Sequence, residues 1–136
     1  MNIFILRLFA GSLMLFLHGI DKFQNASIYA AQFADPLGLG SALSLYLVIF
    51  AELLCSVLII TGTFVRLATI PLIITMSVAV FIVHAADPIS KIELPILYFG
   101  IYLTLLVSGS GCYAFHPVKR IFQSPIANYF LGKPSK

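Results

Sequence analysis

The chain has 136 residues, of which 60% are apolar and 10% are charged. Soluble domains carry roughly 25% charged residues, so this composition excludes an ordinary soluble protein. The apolar residues are also concentrated in four long runs, which predicts a membrane-embedded protein of one domain. We expect the lipid bilayer as its surroundings and no nucleic acid as a partner.

The two cysteines, Cys55 and Cys112, lie far apart in the sequence, and no CxxC motif is present. A membrane thiol–disulfide oxidoreductase needs an attacking and a resolving cysteine close together, so the spacing argues against that class. We predict that both thiols pack inertly and that neither belongs to a metal site.

The first apolar run covers residues 3–20 and is interrupted by Arg7 and His18. Its length and its internal arginine favour an uncleaved transmembrane helix over a cleaved signal peptide. A polar connector, 21–40, follows, with an amphipathic middle suited to the membrane interface. Asp35-Pro36 and the glycines after it end any helix in this connector.

The second and third runs, 41–62 and 65–86, are separated by a tight turn, so they are predicted to be antiparallel neighbours. The fourth run, 94–110, begins near Pro95 and ends at Gly109-Ser-Gly111. Four such runs predict an all-α fold, an integral membrane four-helix bundle over residues 1–114. Residues 115–136 form a basic, partly amphipathic tail that we expect on the membrane surface.

The distribution of lysine and arginine predicts the orientation in the membrane. With the N-terminus inside, six basic residues lie on the cytoplasmic side and two lie outside. The six are Arg7, Arg66, Lys119, Arg120, Lys133 and Lys136, and the two are Lys22 and Lys91. We therefore expect a multi-pass protein of the bacterial cytoplasmic (inner) membrane with both termini in the cytoplasm.

Each apolar run carries one stripe of polar or small residues at helical spacing, about 100° per residue. Such stripes are expected to face the bundle interior, because lipid favours Leu, Ile, Val and Phe. In chain order the stripes are Arg7, Gly11, Met14, His18 and Lys22; Ser44, Val48, Glu52, Cys55 and Ser56; Arg66, Ser77 and His84; and Glu93, Gly100, Thr104, Ser108 and Gly111.

Glu52 is the charged residue in the middle of the second run. A carboxylate at that depth costs several kcal/mol unless it is protonated, paired or hydrated. We predict that Glu52 faces the interior and contacts Arg7 or Arg66 directly or through water, and that these three residues form a buried polar core. The pattern fits a structural ion pair and a ligand or proton site equally well.

Four further polar residues fall near the outer ends of the helices. They are predicted to surround one outward-facing opening: His18, Lys22, His84 and Glu93. Two histidines without flanking ligand motifs do not predict a metal or haem site, and interfacial histidines bonded to loop groups are the simpler interpretation.

The order and spacing of these residues resemble the DoxX family of small membrane proteins. The resemblance covers Arg7 to Gly111, and it departs from the family pattern from Tyr113 to His116. The residues that carry it are Arg7 with Gly11, His18-Gly19, Lys22-Phe23, Glu52, Gly62, Arg66, His84, Glu93 and Gly109-Ser-Gly111. It implies four transmembrane helices and a link to terminal quinol oxidase and thiosulfate:quinone oxidoreductase systems.

The resemblance favours a membrane subunit of a quinone-linked redox system, with quinone as the candidate cofactor and other redox subunits as partners. No haem, flavin or iron–sulfur motif is visible, so electrons would come from a partner or from the quinone itself. Two other classes stay open: a small transporter or lipophile-binding protein with Glu52 as its proton- or cation-coupled site, and a structural or assembly subunit. The sequence assigns no catalytic residues.

Overall fold

The computed structural model describes residues 3–111. Four helices in this range are long and apolar enough to cross a membrane. They are α1 (Ile3–Gln24), α2 (Ser41–Thr61), α3 (Val65–Val83) and α4 (Ile89–Ser108). The predicted all-α membrane bundle with four spans is confirmed. The predicted tail, 115–136, lies outside the described residues.

Three helix ends differ from the sequence-based boundaries. α1 continues one turn further, to Gln24, and α3 ends at Val83. α4 begins at Ile89, directly after Pro88, whose backbone is extended (φ −64°, ψ 152°). The predicted start near Pro95 is wrong, because Pro95 lies inside α4. An earlier start pairs more backbone groups within the helix, which hydrocarbon strongly favours.

The turn between α2 and α3 has the predicted tight geometry. Gly62 adopts a left-handed conformation (φ 81°), and the N–H of Thr63 donates to the carbonyl of Leu58 at 3.0 Å. This pattern ends a helix while satisfying its last carbonyls. It also reverses the chain at once, so α2 and α3 are antiparallel neighbours.

The four helices close a ring in which α1 packs on α2, α2 on α3, α3 on α4 and α4 on α1. The buried core consists of apolar side chains from all four helices. Its members include Met14, Cys55, Ile59, Leu72, Met76, Tyr98, Tyr102 and Leu105. Large apolar side chains such as Phe9, Phe16 and Phe81 point outward, as expected for a surface in contact with lipid.

Two glycines allow α1 and α2 to approach closely. A Cβ on Gly19 would lie 2.8 Å from the carbonyl oxygen of Glu52, and one on Gly11 would lie 3.3 Å from that of Ser56. These contacts fix the antiparallel register: Gly19 lies level with Glu52, and Gly11 lies between the levels of Ser56 and Ile60.

The predicted interior stripe of α4 is wrong. Most of its members are exposed on the outside of the bundle: Glu93, Gly100, Thr104 and Ser108. The face that packs inward carries Tyr98, Tyr102 and Leu105. The hydroxyl of Thr104 donates to the carbonyl of Gly100 at 2.9 Å, so it is satisfied within its own helix and does not need the interior.

Candidate functional site

Three of the spanning helices contain a π-helical turn at the middle or end of the span. These turns cover Leu15–Gly19 in α1, Phe50–Cys55 in α2 and Ala79–Val83 in α3. Each turn adds a residue to the helix and changes which side chains face the interior. Such turns occur frequently at functional sites. The turn in α1 contains His18, the turn in α2 contains Glu52, and the turn in α3 directly precedes His84.

Glu52 is buried, with 4% of its surface exposed, as predicted. Its ion-pair partner is Lys22, whose Nζ lies 2.5 Å from Oε2 of Glu52. The predicted contact with Arg7 or Arg66 is wrong among the described residues. Lys22 follows Gly19 by one turn, so it reaches the carboxylate directly. Arg7 precedes Gly19 by twelve residues, which is about 18 Å along the helix and beyond the length of its side chain.

The two arginines instead bind the C-terminal end of α4. Arg7 is buried and donates to the carbonyl of Ser110 at 2.7 Å, and its guanidinium lies 5.5 Å from the ring centre of Phe4. Arg66 donates to the carbonyls of Leu106 and Val107 at 3.0 and 2.9 Å. Cations at this position satisfy the last carbonyls of a helix and complement its dipole.

A cavity of about 340 Å³ opens beside the Lys22–Glu52 pair, between α2, α3 and the connector. Its lining is mainly apolar, from residues such as Phe33, Leu37, Leu47, Val48, Ile74, Met76, Ala79 and Val83. Lys22, Glu52 and His84 add polar groups to that lining. A mostly apolar volume with a few convergent polar groups is the usual form of a small-molecule site.

His84 is oriented by an acidic neighbour. Its Nδ1 lies 2.8 Å from Oδ2 of Asp87, and Lys91 donates to the other oxygen of that carboxylate at 3.3 Å. Hydrogen bonding from His84 and then from Lys91 lowers the pKa of Asp87. The ionised carboxylate holds the imidazole ring in place, which leaves Nε2 as the second exchangeable position.

The connector over the cavity is held by Asp35. Its carboxylate accepts hydrogen bonds from the backbone N–H groups of Leu39 and Gly40, at 2.9 and 2.8 Å, and from the hydroxyl of Ser44 at 2.8 Å. These hydrogen bonds lower the pKa of Asp35, and the bond from Gly40 has the largest effect. Asp35 thereby ties the connector to the first turn of α2.

The residues predicted for an outer opening separate into two groups. Lys22 and His84 line the cavity. His18 instead packs edge-on against the ring of Tyr98, with ring centres 6.2 Å apart, and Glu93 is exposed on α4. The structure does not place His18 or Glu93 among the residues that line this cavity.

Sequence reasoning missed the aromatic pair Tyr98 and Tyr102. Their rings stack with centres 5.9 Å apart, and Tyr102 is fully buried. Their spacing of four residues on an apolar run was the available signal, because two tyrosines on one helical face suit a core that contains a charge.

A family model described as DoxX matches residues 2–85. This match covers more than half of the chain and includes Lys22, Glu52 and His84, although it ends before Glu93. No curated protein and no solved structure gives a match. The family match and the four spanning helices agree with each other, and the chain belongs to the DoxX family of membrane proteins.

Proposed function

We propose that this protein is a membrane subunit of a quinone-linked redox system and that the Lys22–Glu52 cavity binds the quinone. One observation carries the proposal: an ion pair with a buried carboxylate lines a cavity whose other lining residues are mainly apolar. The family resemblance supplies the link to quinones, and the chemistry of the cavity supports it.

A quinone has an apolar ring and tail with two carbonyl acceptors. The cavity offers apolar side chains for the ring and donors for the carbonyls, from the ammonium of Lys22 and the imidazole of His84. A volume of about 340 Å³ is at the lower end of the range for small-molecule sites, so it suits a head group rather than a whole molecule. The tail would then extend towards the lipid.

The reduction of a quinone consumes two electrons and two protons. Glu52 and His84 are groups that can give or take protons beside the ring. We infer that the electrons come from a partner subunit. We also propose, from the bias of lysine and arginine, that the protein lies in the bacterial inner membrane with both termini in the cytoplasm. Arg7 and Arg66 lie at the same end of the bundle, as this orientation requires.

Quinone titration in lipid nanodiscs tests the proposal. We expect saturable binding of a short-tailed ubiquinone or menaquinone analogue to the wild-type protein, and binding weakened at least about tenfold in Glu52→Gln. A second variant, Ala79→Trp, fills the cavity without touching the ion pair and should also abolish binding. Glu93→Gln is the matched control for loss of a glutamate charge, because Glu93 is exposed on α4 and is not among the residues that line the cavity.

Two outcomes would contradict the proposal. If the folded wild-type protein shows no saturable quinone binding, quinone is not its ligand. If wild type and Ala79→Trp bind quinone equally well, the cavity is not the binding site. If the protein binds no quinone but co-purifies with another amphiphile that Ala79→Trp displaces, the alternative of a lipophile-binding protein or small transporter takes its place.

A further inference from the structure

The helices α2 and α3 diverge towards the end of the bundle that carries Lys22, the Lys22 end. There the first half of α2, Ser41–Ile49, packs on the end of α1 and on the start of the connector. The last turn of α3, Ala79–Val83, packs on α4. Contact between α2 and α3 is made mainly by Phe50–Cys55 and Ser56–Thr61, in the other half of α2. A gap therefore opens between the two helices, and the cavity lies in it.

Two lining residues mark where this cavity reaches the surface of the bundle. Leu47 on α2 is 51% exposed and Ile74 on α3 is 55% exposed, although both line the cavity. Both belong to spanning helices, so their exposed surface faces hydrocarbon. Because the chain reverses at Gly62, Ile74 lies near the level of Glu52. The cavity therefore opens sideways, at membrane depth.

The connector joins α1 to α2 at the Lys22 end and forms another wall of the cavity. Its first half is tied to the end of α1, because the carboxylate of Asp21 accepts hydrogen bonds from the side chains of Asn25 and Tyr29, at 2.9 and 3.1 Å. Its second half is tied to α2 through Asp35. The connector residues that line the cavity are apolar: Phe33, Ala34, Pro36, Leu37 and Leu39. An apolar strap held at both ends hinders the entry of water and of water-soluble ligands.

We propose that ligands enter the cavity from the bilayer, through the gap between Leu47 and Ile74, and that the connector closes the cavity to water. The ligand class is then an amphiphile dissolved in the membrane. Its polar head reaches Lys22 and Glu52, which replace the hydrogen bonds that the head loses on leaving the membrane surface. Its apolar tail stays in the gap and remains in apolar surroundings throughout.

This inference rests on the proposed function only in taking the cavity as the ligand site. It holds for any amphiphile with an apolar tail, whether or not the head is a quinone. It also separates two kinds of small transporter or binding protein, because a water-soluble substrate would need an entrance through the connector. The route can be tested without a ligand, since lipid chains and water-soluble ions report on the two entrances.

Tryptophan fluorescence provides this test, because the chain contains no tryptophan of its own. Met76→Trp places one fluorophore at a cavity-lining position that is only 6% exposed. The protein is reconstituted in nanodiscs of phosphatidylcholine with brominated acyl chains, which quench from the hydrocarbon, and iodide is added to quench from water. We expect the bromolipid to quench Met76→Trp strongly and iodide to quench it weakly. Tyr102→Trp is the buried control, because Tyr102 has no exposed surface and does not line the cavity.

Bulkier side chains at the gap should block the lipid chains. In the Met76→Trp protein, Leu47→Phe with Ile74→Phe should lower bromolipid quenching at least about twofold, because the rings fill space between the helices. The matched control is Leu43→Phe with Ile70→Phe, one turn earlier on the same faces of α2 and α3. These positions are also exposed but do not line the cavity, so quenching should not change.

The entrance from water is tested by releasing the connector. Asp35→Ala removes the hydrogen bonds to α2 and should increase the quenching of Met76→Trp by iodide. Unchanged iodide quenching in this variant would show that the connector is not the barrier.

Three results would overturn the route from the bilayer. Iodide may not quench Met76→Trp more strongly than bromolipid does, bromolipid must quench Met76→Trp more than Tyr102→Trp, and the two pairs of phenylalanine variants must differ. If Met76→Trp does not fold, Val48→Trp supplies the fluorophore from the opposite wall of the cavity. Because no quinone is present, failure of the quinone titration leaves these results unaffected, and their failure leaves the quinone titration unaffected.

Discussion

The two ends of the bundle use basic side chains in different ways. At one end, Arg7 and Arg66 bind backbone carbonyls at the end of α4, which are fixed and neutral partners. At the other end, Lys22 binds the carboxylate of Glu52, which lines a cavity and can change its charge. Both arrangements satisfy a cation within the membrane region.

The partner decides what each cation can do. A guanidinium that completes the hydrogen bonds of a helix end satisfies backbone carbonyls of fixed position, so it is expected to stabilise the fold. An ammonium paired with one carboxylate beside a cavity can bind a ligand in place of that partner, and the carboxylate itself can take up a proton. We therefore propose an architectural role for the Arg7 end and a functional role for the Lys22 end.

The largest effect on stability is expected at Lys22. Replacement Lys22→Met leaves the buried carboxylate of Glu52 without its counter-charge, and breaking a buried pair costs about 3–5 kcal/mol. The free energy of unfolding, measured in detergent micelles, should fall by this amount, and the double variant with Glu52→Leu should recover most of the loss. Lys91→Met should change stability by less than about 0.5 kcal/mol. Similar losses of unfolding free energy in Lys22→Met and Lys91→Met would contradict the importance of the Lys22–Glu52 pair for stability.

The next largest effect should separate stability from binding. Arg7→Ala removes a charge-assisted hydrogen bond to the carbonyl of Ser110, which is worth about 1.5–3 kcal/mol. Unfolding free energy should fall accordingly, while the affinity for a quinone analogue stays within about twofold of wild type. If the Arg7→Ala protein folds but no longer binds quinone, the functional site lies at the Arg7 end and not at the Lys22 end.

A smaller effect tests the helix register on which the comparison depends. In Gly19→Ala the new methyl group would lie 2.8 Å from the carbonyl oxygen of Glu52, so α1 and α2 must separate. Such overpacking costs about 1–3 kcal/mol. Gly100→Ala is the matched control, because no atom lies within 4 Å of its Cβ position, and alanine there should be neutral or stabilising. Equal thermal stability of the two variants would show that the close approach is absent.

The smallest effect concerns the connector over the cavity. Hydrogen bonding lowers the pKa of Asp35 below its unfolded value, so the stability that it contributes is present at neutral pH and above. That stability is lost as the pH falls through the lowered pKa of Asp35. Amide hydrogen exchange at Leu39 and Gly40, corrected for its intrinsic pH dependence, should therefore show less protection in acid. Asp35→Asn should show the reduced protection already at pH 7, and full protection in that variant would contradict the role of the carboxylate.

Hydropathy was sufficient to predict the four helices and the burial of Glu52. The bilayer requires long apolar helices and penalises an isolated charge, so these features follow from composition and run length. The partner of Glu52 did not follow. That choice depends on how far α1 slides along α2, which Gly11 and Gly19 determine through contacts that a helical stripe does not encode.

The interior face of α4 was mispredicted for a related reason. Polar and small residues were expected inside, but Thr104 satisfies its hydroxyl within the helix, and Tyr98 and Tyr102 fill the core instead. The π-helical turns also lacked a signal in the sequence. They alter the phase of a helix by one residue, so a constant 100° per residue misplaces side chains within the turn, such as His18, and those that follow it.

Photoaffinity labelling with a diazirine-bearing quinone tests the difference between the two ends most directly. The protein is labelled in nanodiscs, digested and mapped by mass spectrometry. We predict labels on cavity-lining residues of α2 and α3, around Val48 and Ala79, and their loss in Ala79→Trp and under competition by unlabelled quinone. Competable labels at Leu106 to Ser110, beside the arginines, would contradict the assignment of the functional site to the Lys22 end.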